Sequence, residues 1–445
     1  MTREDKHRNV MTEDEPGHSR ERSKTPATPP DTLSSQRVFK KSAPNNKLTL
    51  YLSSRDLVIS DNKIDLLQGV ILVEPDYLQD RKVYGQVTLT FRYGREDEEV
   101  MGLKFCNEAV MCLAQLYPPH ERAAPQTTTP LQEALIKRLG PNAHPFTMEV
   151  TPLAPPSVQL VPAKEYSGAP IGTSYDVRAY AAERADEKTH RRSTVRMGIR
   201  VVQRCVPRVP VTPGSPARSI EQLVGPPPHA AVDKPFLLSD GRVELEASLD
   251  KAMYSHGEPI LVNTAVHNNS GKTVRRIKVF VVQHVDVCMF SNGKFKNVVA
   301  LVTSRDECPL GPGSSLSRTY TLYPTKGTTK NWIALEDSFS RAGASLASTV
   351  TSASNSPEDR NVFAIYVSYY VKVKLLVGAM GGELALKLPF TLMHSTSTME
   401  LNESLSLSPP KSHPSKEASP SAEKKKKTNT REEEDVILKC DEEPT

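Results

Sequence analysis

The chain carries few residues spaced for catalysis but several spaced for holding an anion. In RVFKK, residues 37–41, Lys40 and Lys41 stand side by side at what reads as the first strand. Two readings are open. The pair can shield an edge strand from pairing with other chains, which is favoured when the pair is taken alone. It can also meet a phosphate as two point charges. Arg55, Arg138, Arg191 and Arg192 are cations that the fold could bring to the same place, so that a phosphorylated peptide would lie along the sheet edge. Arg200, in MGIRVVQ, is flanked by apolar residues in a strand-like stretch. If buried it needs a carboxylate, and Asp56 in SSRDLVIS is similarly placed; equally, both could cap strand ends and meet water. Residues 91–105, FRYGREDEEVMGLKF, raise a different problem. A strand end runs into Arg95, Glu96, Asp97, Glu98 and Glu99, then into the apolar Val100, Met101, Gly102 and Leu103.

Reaction chemistry is not signalled. GxSxG, HExxH, P-loop and GxGxxG patterns are absent, and the 11 histidines are scattered. His144 reads as structural and His256, before Gly257, as a turn residue. The six cysteines form no CxxC and no zinc-type spacing, so no metal site is expected, and they read as small apolar residues of a reducing, cytoplasmic setting. The first residues lack an apolar signal-peptide core. No apolar stretch approaches the roughly 20 residues of a membrane helix. With 57 basic against 52 acidic residues the formal charge is +5, too balanced for a dedicated nucleic-acid binder.

What must position these residues is mostly strand. Period-two alternation recurs in LTLYL (Leu48, Leu50, Leu52), QVTLTFRY, STVRMGIRV, RVELEASL and FAIYVSYYVKVKLLV. Asp240-Gly241, Asn269-Ser270-Gly271 and Asn292-Gly293 read as turns. LQEALIKRLG departs from this: Leu131, Leu135 and Leu139 share one helical face, with Pro130 suited to the start and Gly140 to the stop. The expectation is an all-β protein of two antiparallel β-sandwiches, residues 37–203 and 234–394, with one short amphipathic helix in the first. A Pro-rich linker, 204–233, joins them. Residues 1–36 and 395–445 are too polar to bury a core.

Taken together, RVFKKSAPNNKLTLYL, VEPDYL, FRYGREDEEVMGLKF, LQEALIKRLG, AHPFTMEV, FLLSDGRVELEASLDK, YSHGEPI, VKVKLLV and LPFTLMH resemble the arrestin family, on its visual and β-arrestin side, from about Arg37 to His394. The resemblance implies two arrestin-type β-sandwiches in a cytoplasmic, non-enzymatic adaptor. Such an adaptor is recruited to the inner face of the plasma membrane, binds activated, phosphorylated G-protein-coupled receptors and blocks G-protein access. It implies a monomer that can scaffold signalling or internalisation. A phosphate-independent trafficking scaffold with the same sandwiches is the alternative.

By resemblance Lys40 and Lys41 are phosphate sensors, supported by Arg55, Arg138 and Arg196. Asp56, Arg200 and Glu336 fall on a buried polar core. Val38, Phe39, Leu131, Leu135 and Leu139 hold the C-terminal tail through Val436, Ile437 and Leu438. Arg95 to Gly102 form the receptor-inserting finger loop, with Leu103 and Phe105 starting the next strand. Residues 164–175 match the middle loop. Lys278, Lys296, Lys372 and Lys374 lie at or near an inositol-phosphate or phosphoinositide site, although alternating lysines also suit an exposed strand face. The chain departs from the family at Gly343, where an aspartate is expected, at Ser338 and Ser340, and in a tail lacking the phenylalanine and arginine that follow the apolar triplet. The implied polar core is therefore simplified: Arg200 against Asp56 and Glu336, with weaker basal inhibition. Recruitment of clathrin and its adaptors is in doubt, since MELNESLSL does not match a clathrin box.

Overall fold

In a computed structural model the structure describes residues 37–204 and 225–394, with short breaks at 61–62, 75, 121–126, 237–238, 289–292, 305, 328–331, 339–343, 351–363 and 379–381, together with residues 434–437. The readings on 1–36, most of the linker, Ser340, Gly343, Leu438 and the rest of the tail lie outside these residues.

The first half runs β1 (Arg37–Ser42), β2 (Leu48–Leu52), β3 (Asp56–Ser60), β4 (Lys63–Ile64), β5 (Leu67–Val73), β6 (Lys82–Arg92), β7 (Cys106–Tyr117), α1 (Pro130–Leu139), β8 (Ala143–Met148), β9 (Val158–Val161), β10 (Gly172–Ala182) and β11 (Val195–Gln203). The second runs β12 (His229–Phe236), β13 (Ser239–Leu249), β14 (Met253–Ser255), β15 (Ile260–Asn268), β16 (Val274–Val287), β17 (Gly293–Thr303), β18 (Ser315–Leu322), β19 (Ile333–Glu336), β20 (Ile365–Val377) and β21 (Gly382–Met393), with β22 (Glu434–Ile437) near the C-terminus. β12 begins inside the stretch read as linker, and Asp240 and Gly241, read as a turn, fall within β13.

Each half is a sandwich. In the first, a sheet ordered β22-β1-β2-β5-β8 faces one ordered β19-β9-β10-β11-β3-β4, on which β6 pairs with β10 and β7. In the second, β12-β13-β15-β18 faces β14-β21-β20-β16-β17. Alternation explains most of this: Val195, Met197, Ile199 and Val201 of β11 are buried in the first core, while Arg196 is exposed and Gly198 and Arg200 only half-buried. β2 differs, because all five of its residues are buried. Leu48, Leu50 and Leu52 enter the core, and Thr49 and Tyr51 are covered from the other side.

α1 lies against β5 and β8. Its start is a capping box: the Thr129 hydroxyl accepts from the Gln132 N–H and the Gln132 side chain accepts from the Thr129 N–H. Leu131 and Leu135 are buried and Leu139 is half-buried. Gln132 is buried as well, and its amide donates to the carbonyls of Gly69 and Phe146 at 2.9 Å each, so the helix is pinned to the sheet by a polar residue inside its apolar stripe.

The two halves are joined by a strand exchange. β19 comes from the second half but pairs with β9 of the first, Ile333 opposite Val161 and Glu336 opposite Val158. Phe91, Val158, Leu160 and Ile171 of the first half share one buried cluster with Ile333, Ala334 and Leu335 and the second core, and residues Arg37–Val436 form a single unit. β9 approaches β10 closely at Gly172, whose φ is 123° and whose added Cβ would stand 2.0 Å from the Val158 carbonyl oxygen. Gly172→Ala is expected to cost about 3 kcal/mol through combined left-handed strain and displacement of β9. Urea unfolding of the two proteins checks this, and a loss below about 0.5 kcal/mol would show that β9 can give way.

Candidate functional site

The parallel pairing of β3 with β11 sets Arg200 opposite Asp56. Cross-strand partners share a face, so the two side chains meet: Arg200 Nε donates to Asp56 Oδ1 at 2.7 Å and Nη2 to Oδ2 at 2.5 Å. This is a two-pronged, charge-assisted contact with each side chain about one-fifth exposed. Arg200 Nη1 also donates 2.9 Å to the backbone carbonyl of Asp337, on the segment that follows β19. The ion pair of the first sandwich thereby grips a strand that originates in the second. Arg204 adds a second cation, 4.0 Å from Asp56 Oδ2. Burial lifts the Asp337 carboxyl, and Arg200 and a hydrogen bond from Gln159 (2.6 Å) draw it back only in part.

The expected second acid of this cluster, Glu336, is held elsewhere. It accepts from His394 Nε2 at 2.8 Å and from the Ser348 hydroxyl at 2.7 Å, and His256 Nε2 lies 3.8 Å away. Glu336, the last residue of β19, turns its carboxylate to His394 and Ser348, so that only its charge bears on Arg200, while the next residue offers Arg200 its backbone carbonyl. Burial would raise the Glu336 carboxyl, but the hydrogen bond and attraction of His394, then Ser348 and His256, bring it to about 2. Burial and the neighbouring His394 push His256 down to about 4, leaving it neutral near pH 7. Sequence reading treated His256 as a turn residue.

The expected phosphate residues are split among several places. Lys40 pairs with Tyr51 and shares with Val38 the side of β1 that faces away from the core. Arg138, exposed in the last turn of α1, acts on Tyr51 from the same side. Lys41 pairs with Leu50 on the opposite side, with Phe39. Arg191 and Arg192 are exposed in a 3-10 turn tied to the β1–β2 turn by an Asn45 N–H to Arg192 carbonyl bond of 3.1 Å. Two members depart from expectation. Arg55 is only 9% exposed, donates from Nε to the Gly198 carbonyl at 2.8 Å and stacks over Phe39, so it is part of the interior. Arg196 lies on the outer face of β11, across the sandwich from Lys40, and is paired with Asp176 at 2.6 Å.

Of the tail-docking set, Val38 shares the outward side with Lys40, while Phe39 turns inward against the first core. The strand β22, which contains Val436 and Ile437, is the neighbour of β1 in its sheet.

The acidic loop is a built object. Glu99 Oε1 receives Arg92 at 2.5 Å and the Phe105 N–H at 3.0 Å, closing the loop base. Arg95 clasps Asp97 with two bonds of 2.9 and 2.5 Å and lies over the Tyr166 ring at 5.0 Å. Glu96 accepts from the Ala169 N–H at 3.0 Å, and its own N–H donates to the Tyr166 hydroxyl at 3.0 Å. The acids thus fold the loop onto segment 164–175 and do more than keep it wet. At the tip, the Leu103 N–H donates to the Val100 carbonyl across Met101 and Gly102, both with positive φ (53° and 79°). Val100, Met101, Gly102 and Leu103 are all exposed. Leu103 belongs to this tip, because β7 begins only at Cys106.

On the second sandwich Lys278 lies opposite Lys374, and Lys372 opposite Lys387; the first three are half-buried and Lys387 is exposed. Lys374 pairs with Glu383. Lys296 sits opposite His284, six residues from Lys278 along β16 and so roughly 20 Å away. Lys387, which sequence reading passed over, fills the gap and bears on His284 together with Lys296.

Two family models match: "Arrestin (or S-antigen), N-terminal domain" over residues 48–204 and "Arrestin (or S-antigen), C-terminal domain" over 239–397. The chain is 44% identical over 360 residues to an arrestin homolog of Heliothis virescens, covering 80% of this chain and 90% of that protein. It is 42% identical over 361 residues to phosrestin-2 of Drosophila melanogaster (80% and 94%) and over 360 residues to β-arrestin-2 of Homo sapiens (80% and 83%). The chain belongs to the arrestin family. Arrestins are a non-enzymatic adaptor family, and among the described residues of this arrestin no helix is long and apolar enough to cross a membrane. What sequence reading missed in this arrestin has a common cause. Tyr166, Arg204 and Asp337 act through partners distant in the chain, and none carries a local spacing that marks it; Arg92 meets Glu99 only seven residues on, but across a loop whose closure the sequence does not spell out.

Proposed function

We propose that this arrestin is a cytoplasmic adaptor that binds activated, phosphorylated G-protein-coupled receptors at the inner face of the plasma membrane and blocks G-protein coupling by occupying the same cavity. One observation carries the reading: Arg200, paired with Asp56, also donates to the Asp337 carbonyl, so this ion pair ties the first sandwich to the segment that comes from the second. Phosphates arriving at Lys40 and Lys41 compete with the strand beside β1 and disturb this contact. The sandwiches then rotate relative to one another as rigid bodies, and the exposed Val100–Leu103 tip enters the receptor cavity.

The polar core of this reading sets Arg55, Arg200 and Arg204 against Asp56 and Asp337. Arg204, 4.0 Å from Asp56, adds a cation to this cluster from within the first sandwich.

The test is binding of a multiply phosphorylated receptor-tail peptide to the full chain. Lys40→Ala/Lys41→Ala is expected to weaken it about tenfold or more, since each charged hydrogen bond contributes about 1.5–3 kcal/mol. Unchanged binding by fluorescence anisotropy would overturn the phosphate reading in favour of a phosphate-independent scaffold for membrane cargo.

A further inference from the structure

Three residues with donor atoms for a metal converge where β14, β19 and β21 end. β14 and β21 run parallel with Ser255 opposite Met393, so the next residues, His256 and His394, stand side by side. Their rings stack with centroids 4.1 Å apart and planes 27° from parallel. Glu336, the last residue of β19, brings a carboxylate to the ring edges. One donor atom from each of the three lies within 4.8 Å of the others. All three residues are half-buried.

We propose that His256, Glu336 and His394 form a binding site for a divalent transition ion, zinc foremost. Two imidazoles and one carboxylate are a ligand set that zinc takes with a fourth position left open. With bonds of about 2.1 Å and tetrahedral angles, zinc needs its donors roughly 3.4 Å apart. The distances of 2.8 Å from Glu336 Oε2 to His394 Nε2 and 3.8 Å from Glu336 Oε1 to His256 Nε2 bracket that spacing. Ser348 Oγ, 3.0 Å from His256 Nε2 and 2.7 Å from Glu336 Oε1, is positioned to hydrogen-bond a water on the open side.

The placement gives the ion a mechanical consequence. Glu336 sits on the strand lent to the first sandwich, whereas both histidines belong to the second. A bound ion would add a second tie between the sandwiches, independent of Asp56 and Arg200.

The experiment uses the full chain, stripped with a chelator and titrated with zinc chloride by calorimetry, then with cobalt(II) for its visible spectrum. One stoichiometric site is expected, with cobalt bands of nitrogen and oxygen ligation and no thiolate charge-transfer band. His256→Gln and His394→Gln should each weaken zinc by at least a hundredfold, since losing an outer-shell partner alone costs 10–100-fold. His229→Asn, a histidine outside the cluster, should leave binding unchanged. Because a variant could misfold, zinc protection of His256 and His394 from diethyl pyrocarbonate is read on the unsubstituted protein by peptide mass spectrometry. Equal zinc binding in the variants, a thiolate band, or no protection of these two histidines would each overturn the site.

Discussion

Arg200→Gln is expected to destabilise the folded chain by about 3 kcal/mol, measured by urea unfolding. Breaking a buried pair from one side costs about 3–5 kcal/mol, because the abandoned charge keeps its burial and loses its partner. The lower end applies here, since both side chains keep about one-fifth exposure and Arg204 remains 4.0 Å from Asp56. The swap Asp56→Arg/Arg200→Asp should recover part of the loss, and the double-mutant cycle gives the coupling directly. On the proposed function, Arg200→Gln also releases the Asp337 carbonyl, so binding to an unphosphorylated active receptor should rise toward that of the phosphorylated one. Unaltered stability together with unaltered receptor preference would remove this ion pair from the account.

Met101→Asp/Leu103→Asp should leave stability within about 0.5 kcal/mol of the parent, because both side chains point to solvent and touch no core. Affinity for an activated receptor, measured with receptor in nanodiscs, should fall about a hundredfold, or about 2.7 kcal/mol. Carboxylates carried into an apolar cavity lose their water without gaining partners. The loop base, held by Arg92–Glu99 and Arg95–Asp97, is unaffected, so a loss would report the tip alone. Retained affinity would mean that the tip does not enter the receptor.

Local order in the chain was sufficient for much of the architecture. Alternation in LTLYL and VRMGIRV places β2 and β11, and the Leu131–Leu135–Leu139 spacing between Pro130 and Gly140 places α1 with its boundaries. Both signals act over a few residues, within which backbone period and side-chain polarity decide the element. Arg200 within an apolar stretch could be read as a charge in need of an acid, since burial of an unpaired guanidinium is too costly whatever the fold. What that residue meets was decided by register. The parallel β3–β11 pairing selects Asp56, and the direction of side chains at the end of β19 turns Glu336 toward two histidines and leaves the Asp337 carbonyl to Arg200. Whether a basic residue serves the surface or the interior was likewise a tertiary outcome: Arg55 and Lys40 look equivalent in the chain, yet one fills the space beside Phe39 and the other faces outward from β1. Composition carries no information on such choices, because they depend on which strand becomes whose neighbour, and that is settled only when the whole sheet closes.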